Sequence, residues 1–385
     1  MINEKEKIKI LLERGVEEII EKEHLVKMLE SGKKLRVKFG IDPTAPNLHL
    51  GHTVALRKLR QFQKLGHKVV LIIGDFTGQI GDPSGRTETR KSLSKEEVKK
   101  NLKNYLTQAG KIIDIKKAEI RYNNEWFEKN GLKAILDLAK TATISQILKR
   151  EDFEKRLAAH SDITLLETLY PLLQGYDSVA VKADVEIGGT DQKFNLLMGR
   201  RVQKHYEMPE QDIVTLPLIE GTDGARKMSK SYGNYIGIEE KPNEMFGKIM
   251  AVPDTLIEKY FTLLTDIDMP KNNNPYKNKL LLAETIVGMY NSLSEAKKAR
   301  EWFIKTFSKK ETPEDIPELR IMNQELGIMD LLIKAGVKSK NEARRLIEQK
   351  AVEIDGAVKN DVMEKLKLRG GEVLKIGKKR FWKIQ

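Results

Sequence analysis

Three consecutive stretches near the start of the chain restrict its fold more than any other feature. Leu35-Arg36-Val37-Lys38-Phe39-Gly40-Ile41 reads as a strand. Thr53 to Leu65 places Val54, Leu56, Leu59, Phe62 and Leu65 at helical spacing. After a Gly66-His67-Lys68 turn, Val69-Val70-Leu71-Ile72-Ile73-Gly74 is a continuous apolar run. A strand that is apolar on both faces suits a parallel sheet covered on both sides by helices. Strand, helix and strand in that order form a βαβ unit, so the expected fold class is α/β, a doubly wound, Rossmann-like parallel sheet. Ligands of such sheets bind beyond the carboxyl ends of the strands.

The connection between the first strand and its helix lies there. It reads Pro43-Thr44-Ala45-Pro46-Asn47-Leu48-His49-Leu50-Gly51-His52. Its two prolines fix φ and keep helix from starting early. Free N–H groups at the helix start attract anions. His49 and His52, three apart, share one face of the first turn. Two imidazoles on a helix N-terminus make a seat for a polyphosphate, although most histidine pairs so placed are solvated or act as caps. Far downstream stands Lys227-Met228-Ser229-Lys230-Ser231. Taken alone, a lysine-serine run is usually an exposed loop.

Other stretches carry polar groups where a binding site would need them. Gly74 to Gly85, rich in glycine and containing Asp75 and Asp82, follows the buried strand directly. Ser94-Lys95-Glu96-Glu97 fits a capping box for a helix to about Ala109. Residues 110 to about 165 mix strand-like and helical pieces, with Ile144 to Leu157 amphipathic. From Leu165 to Val181 the pattern is helical, and spacings of four and three put Tyr170, Gln174 and Asp177 on one face. Leu166, Leu169, Leu173 and Val179 say that this helix is buried, so the three define a polar pocket. Ala183 to Gln192 is a strand running into a Gly188-Gly189 turn, where a ligand can approach the backbone closely. Asp191 there suits a ribose hydroxyl. Leu216 to Gly221 leads on to the lysine-serine loop.

The 385 residues suit two or three domains. Without cysteine there is no disulfide framework, thiolate metal site or cysteine nucleophile. The first 30 residues read as a charged amphipathic helical stretch rather than a secretory signal. No apolar run reaches the length of a membrane span. A soluble, cytoplasmic chain is therefore expected, with no membrane partner. The net charge of +13 suits a polyanionic partner. More than half of the excess falls between Gly327 and Gln385, with 15 Lys and Arg against 8 Asp and Glu. From about 240 to 320 the pattern is helical, with Phe246, Ile249, Met250, Leu256, Ile257, Tyr260 and Phe261 on one face. Lys309 to Pro317 is a polar, proline-bearing linker. In the last piece, Ile328–Ala335 is helical, and Ser339-Lys340-Asn341-Glu342 caps a second helix to about Gln349. This second helix bears Lys340, Arg344 and Arg345, with Lys350 just beyond. Asp355-Gly356 marks a hairpin, and Val373–Ile384 a second one around Gly377.

An HxGH after a strand together with a KMSKS in a later loop resembles the paired signatures of the class I aminoacyl-tRNA synthetases. The whole chain resembles the bacterial tyrosyl-tRNA synthetases. That resemblance implies a catalytic domain over 1–235 with an inserted dimerisation segment at about 115–160. It further implies an α-helical tRNA-binding domain over 236–320 and a small α+β RNA-binding domain over 327–385, similar to a module of a small-subunit ribosomal protein. The implied activity joins L-tyrosine to ATP as tyrosyl-AMP and then to tRNA(Tyr), in a homodimer. Mg²⁺ would arrive with ATP, with no protein-ligated metal. Thr44, His49, His52, Lys227 and Lys230 would be catalytic. Gly51, Gly189, Asp191, Gln192, Met228, Ser229 and Ser231 would bind ATP. Asp42, Asp82, Tyr170, Gln174 and Asp177 would bind tyrosine, with Asp177 accepting from the phenol. Lys340, Arg344, Arg345 and Lys350 would bind tRNA.

Three positions depart from the pattern. Lys38 stands where many relatives have a tyrosine that donates to the phenol, Phe39 where some place a polar ribose contact, and Glu186 where others have glutamine. Two alternatives stay open: a tryptophanyl-tRNA synthetase, or a non-catalytic RNA-binding protein with a nucleotide-binding fold. A small adenylyltransferase also uses HxGH but gives no reason for KMSKS beside an RNA module.

Overall fold

A computed structural model describes residues 3–43, 47–84, 95–308, 317–321, 325–377 and 380–385. Two compact units are present, Met1–Ala296 and Lys297–Gln385. Thr44, the expected cap residue Ser94, most of the expected linker and the tip of the second hairpin lie outside the described residues.

The first unit is built on six strands, β1 (Glu18–Ile20), β2 (Arg36–Ile41), β3 (Lys68–Ile73), β4 (Glu119–Tyr122), β5 (Val185–Gly189) and β6 (Asp212–Leu216). Their order is β1-β6-β5-β2-β3-β4, all parallel except β1, which runs antiparallel along β6. Val69 to Ile73 is essentially inaccessible, the two-sided burial expected of its apolar run. The chain builds outward from β2 to β4 and then returns on the other side of β2 with β5 and β6. The order therefore reverses between β2 and β5, which is where open α/β sheets bind ligands.

Several expectations need correction. The first 30 residues form two helices, Glu4–Glu13 and Lys22–Glu30, separated by β1. Gly15, at φ +64°, ends the helical path, and Ile19 and Ile20 pair with Val214 and Ile213 at the open sheet edge. The Ile144–Leu157 stretch is two short helices, Ile144–Ile147 and Glu151–Ala158, because Arg150 is extended at ψ 135°. A boundary near 235 does not separate compact units, since the helices Pro242–Met250, Ile257–Leu264 and Pro275–Tyr290 all fall in the first. Tyr260 donates to the carbonyl of Glu220 at 2.7 Å and Lys259 pairs with the Glu220 carboxylate at 2.9 Å. Those bonds dock the Ile257–Leu264 helix on the segment that leads to the lysine-serine loop. Nor is the pattern helical through 320: Glu318–Leu319 is a strand.

The second unit carries β7 (Glu318–Leu319), β8 (Glu325–Gly327), β9 (Val352–Ile354), β10 (Ala357–Lys359), β11 (Lys365–Lys367), β12 (Val373–Ile376) and β13 (Arg380–Ile384). Five of them form one sheet ordered β10-β9-β12-β13-β7, and β11 pairs with β8. Ile328, Leu331, Leu332, Ala343 and Ile347 pack with Val352, Leu374 and Ile376 in its core. Asp355 and Gly356 both have positive φ, as a two-residue hairpin turn of this kind requires.

Candidate active site

A cleft of about 460 Å³ opens at the carboxyl ends of β2, β3, β5 and β6. On one side of it the Leu50–Lys64 helix begins at His49. The His49 ring accepts the N–H of Gly51 at 3.2 Å, and His52 accepts the N–H of His49 at 3.2 Å. The rings lie 3.8 Å apart between centroids. Each histidine thus caps the helix through one ring nitrogen and keeps the other for a ligand. Burial, the neighbouring imidazole and Lys230 push His49 down to about 2. Burial and Lys230 push His52 down to about 4. Both imidazoles are therefore neutral near pH 7. The turn is also held from behind: Gln108 accepts the N–H of Leu48 at 2.6 Å, and Asn101 donates to the Pro43 carbonyl at 2.9 Å.

The lysine-serine loop reaches the same cleft. Lys227, Met228, Ser229, Lys230 and Ser231 all line it beside His49, Gly51 and His52. Two backbone bonds, Leu50 N–H to Ile236 at 2.9 Å and Ile238 N–H to Leu48 at 3.2 Å, lay the segment after the loop against the histidine turn. Asn234, 3% exposed, clamps the loop itself. Its amide donates to the carbonyls of Arg226 and Lys227 and to Asp223, and its oxygen accepts the N–H of Ser229 at 2.8 Å. A Cβ at Gly221 would overlap Asn234, so this close approach requires glycine. Lys227 does not stand free: its ammonium pairs with Asp191 at 2.9 Å.

Deeper in the cleft lie Asp42, Asp82, Tyr170, Gln174 and Asp177. Tyr170 donates to Asp42 at 2.9 Å, and Thr77 donates to the other oxygen of the same carboxylate at 2.9 Å. A Cβ at Gly74 would overlap Asp42. Asp82 accepts from the Gln192 amide at 2.7 Å and from the N–H of Ser84 at 2.9 Å. Asp177, 3% exposed, accepts from the indole N–H of Trp126 at 3.0 Å and from Asn123 at 3.5 Å. Burial raises Asp177 to about 7, against the opposing influence of Lys38, Trp126 and Asn123.

Two of the departures from the family pattern prove to be partners. Lys38, fully buried, donates to Glu186 at 2.8 Å, Ser178 Oγ at 2.8 Å and the Gln174 carbonyl at 3.0 Å. Glu186, 1% exposed, also accepts from Ser178 and Gln211. The ammonium is thus spent on an internal ion pair on neighbouring strands, with each charge met by further hydrogen bonds. Phe39 lines the cleft as an apolar wall.

In the second unit, Ser339 caps the Lys340–Glu348 helix by accepting the N–H of Glu342 at 3.1 Å. Ala343 and Ile347 face the core, which turns Lys340, Arg344 and Arg345 outward, and Lys350 is exposed just after them.

Of the expected site residues in the first unit, all but Thr44 line the one cleft. The residues that sequence reasoning missed are the ones that hold them: Gln108, Asn123, Trp126, Arg150, Asn195 and Asn234. None belongs to a motif. The available signal was weak: Asn195 is a polar side chain on the buried face of a helix beside Leu196, Met198 and Val202.

Neutral imidazoles and lysines bordering a buried carboxyl pocket suit a reaction that develops charge on phosphate oxygens; the N–H groups of His49, Leu50 and Gly51, expected to be free at the helix start, are already bonded within the protein. Family comparisons agree with this chemistry. The description "tRNA synthetases class I (W and Y)" matches residues 30–308, so the chain belongs to the class I tRNA synthetases. "Tyrosine--tRNA ligase SYY-like C-terminal domain" matches residues 309–384. Over 97% of both chains, this one is 50% identical to the tyrosine–tRNA ligase of Aquifex aeolicus. It is 49% identical to that of Thermotoga maritima over 98% of this chain and 97% of the relative. Within its class the chain is accordingly a member of the tyrosine–tRNA ligase family. Its fold resembles a C-terminally truncated mitochondrial tyrosyl-tRNA synthetase of Aspergillus nidulans, with TM-score 0.66 and 22% identity over 78% of this chain and 94% of that one. It also resembles the Archaeoglobus fulgidus enzyme complexed with L-tyrosine, with TM-score 0.63 and 21% identity over 77% of this chain and all of that one.

Proposed function

We propose that the chain activates L-tyrosine with ATP and transfers it to tRNA(Tyr). A tyrosine carboxylate oxygen attacks the α-phosphorus of ATP, and the bond to the departing pyrophosphate breaks. The terminal ribose hydroxyl of the tRNA then attacks the tyrosyl carbonyl, and AMP leaves. One observation carries the reading: the histidine turn and the lysine-serine loop face each other across a cleft whose floor bears Tyr170, Gln174 and Asp177.

The resemblance suggests the roles, and the cleft supports them for the described residues. His49 and His52, neutral and capping a helix, donate to phosphate oxygens with their remaining ring nitrogens; for Thr44 the resemblance alone suggests the same role. Lys230, beside both rings, and Lys227 neutralise the charge that grows on pyrophosphate. Because Lys227 is paired with Asp191 at 2.9 Å, ATP must exchange that partner for phosphate, which frees Asp191 for the ribose. Gly51, Gly189, Gln192, Met228, Ser229 and Ser231 shape the nucleotide side. Asp82, Gln174 and Tyr170, with Asp42 behind it, surround the substrate ammonium. Asp177 accepts the phenol hydrogen. Mg²⁺ belongs to the substrate, carried by phosphates and water. With Lys38 committed to Glu186, Asp177 is the residue on which recognition of the phenol rests.

The functional parts are a catalytic part over 1–235, a tRNA-binding part over 236–320 whose described helices end at Ser308, and an RNA-binding module over 327–385 that presents Lys340, Arg344, Arg345 and Lys350 to phosphates. The inserted segment exposes Leu132, Leu136 and Ile144, and the helix that follows it exposes Leu165 and Leu166, two of the five about 70%. Such a patch fits a second copy of the chain across a two-fold axis. No helix among the described residues is long and apolar enough to cross a membrane, and we place the enzyme in the cytoplasm. ATP–pyrophosphate exchange supplied in turn with tyrosine and tryptophan tests the reading. Tyrosine-dependent exchange is expected. Exchange with tryptophan instead would assign the sister enzyme, and none with either would leave an RNA-binding protein.

A further inference from the structure

We propose that Arg150 and Asn195 are positioning residues of the amino-acid half of the cleft, and that through Arg150 the inserted segment sets the geometry that receives the substrate ammonium. The inference rests on the reading that this cleft takes tyrosine. Arg150, 2% exposed, sits at the break between the two short helices of the insert. Its side chain leaves that segment and enters the catalytic core. The guanidinium donates to Asn195 Oδ1 at 2.6 Å and to Ser84 Oγ at 2.9 Å, and is neutralised by Asp152 at 2.9 and 3.0 Å. The rings of Phe153 and Phe194 lie 5.1 and 5.3 Å from it and exclude water.

Asn195, 1% exposed, passes the constraint on. With its oxygen held by Arg150, its amide is fixed to donate to Gln174 Oε1 and Gln192 Oε1, each at 3.0 Å. Both glutamines then have their oxygens engaged. The Gln192 amide in turn reaches Asp82 at 2.7 Å, while Ser84 donates its N–H to the other Asp82 oxygen at 2.9 Å. One arginine thereby orients Ser84 and Asn195, and these orient Asp82, Gln174 and Gln192. Buried networks of this kind are rigid when every member is satisfied and costly when one is removed. Neither Arg150 nor Asn195 lines the cleft, so they act through the residues they hold.

A role confined to packing would lower stability and disturb all substrates alike, whereas a positioning role falls on tyrosine. The test is ATP–pyrophosphate exchange by the full chain, titrated in tyrosine at saturating ATP and then in ATP at saturating tyrosine, with Tm recorded for each variant. For Asn195→Ser and Arg150→Met, the tyrosine KM is expected to rise about tenfold or more, the size of a lost charge-assisted bond. The ATP KM is expected to rise clearly less, since Gln192 is the one nucleotide-side group in this network and His49, His52, Lys227 and Lys230 lie outside it. Arg150→Lys, which keeps the charge without the fork, should recover only part of the loss. An unchanged tyrosine KM in Asn195→Ser, a folded protein by its Tm, overturns the proposal. So does a parallel rise in both KM values. An unaltered chain without tyrosine-dependent exchange removes the functional reading itself, and is recognised before any substitution is made.

Discussion

At the scale of single residues, the cleft is governed by what burial does to charge. Asp177 lies on a buried helix face and is raised to about 7, and it accepts a phenol hydrogen most strongly when ionised. Tyrosine KM should therefore fall as pH climbs from about 6 to 8, because the ionised fraction of Asp177 grows through that window. Steady-state exchange across that range checks this. Asp177→Asn should flatten the profile and lower the preference for tyrosine over phenylalanine about tenfold or more. His52 behaves in the opposite sense. Its folded pKa of about 4 lies below the ordinary 6.5, so the unfolded chain binds the proton first. Its contribution to stability is whole above about pH 6.5 and is lost as pH falls toward 4. Thermal melts of His52→Gln should show a shallower loss of Tm over that window than the unaltered chain, and a loss of equal slope would sink the assignment. Lys38 and Glu186 give a third case. Lys38→Met alone leaves a carboxylate buried without its cation and should cost about 3–5 kcal/mol. Lys38→Met with Glu186→Gln should recover most of that in denaturant unfolding.

At the scale of elements, the loop carrying Lys227 and Lys230 and the turn carrying His49 and His52 are joined by backbone rather than by side chains. The Leu50–Ile236 and Ile238–Leu48 bonds make the histidine turn and the exit of the loop behave as one piece. Gly224 and Gly233, at φ +71° and +67°, flank the part of the loop that bears the two lysines. Lys230→Ala should then lower kcat for adenylate formation about a hundredfold or more, the usual effect of removing one group that stabilises transition-state charge, with tyrosine binding little altered. Tyrosine affinity measured by equilibrium dialysis separates the two effects. A large loss of affinity would mean that the lysine holds the ground state instead. The Tyr170–Gln174–Asp177 stripe was legible because its helix is long, capped by Thr164 and mostly apolar elsewhere. The break at Arg150 was not, because an apolar pattern does not reveal where a buried arginine interrupts it.

At the scale of the whole molecule, the proposed reading gives partners to two surfaces. The apolar residues Leu132, Leu136, Ile144 and Leu165 are exposed. Leu136→Asp with Leu165→Asp should shift the mass measured by sedimentation from dimer to monomer, and an unchanged mass would place the interface elsewhere. The basic helix of the second unit has a core of its own to stand on. Removal of 327–385 should weaken tRNA charging while tyrosine-dependent exchange persists. Equal loss of both would mean that the unit supports the first one instead.

The βαβ start of the sheet, the turn beyond its first strand, the lysine-serine loop and the basic last sixth were set by local pattern: apolar period, proline, glycine and charge, each readable within a few residues. Tertiary structure alone decided that β1 completes the sheet edge, that Lys38 answers Glu186, that Lys227 rests on Asp191, and that Arg150 and Asn195 stand behind the amino-acid pocket. These depend on groups 36 to 197 positions apart, whose pairing is chosen by burial. A buried charge has to find whichever partner the packed core brings within reach, and no local pattern records which one that is.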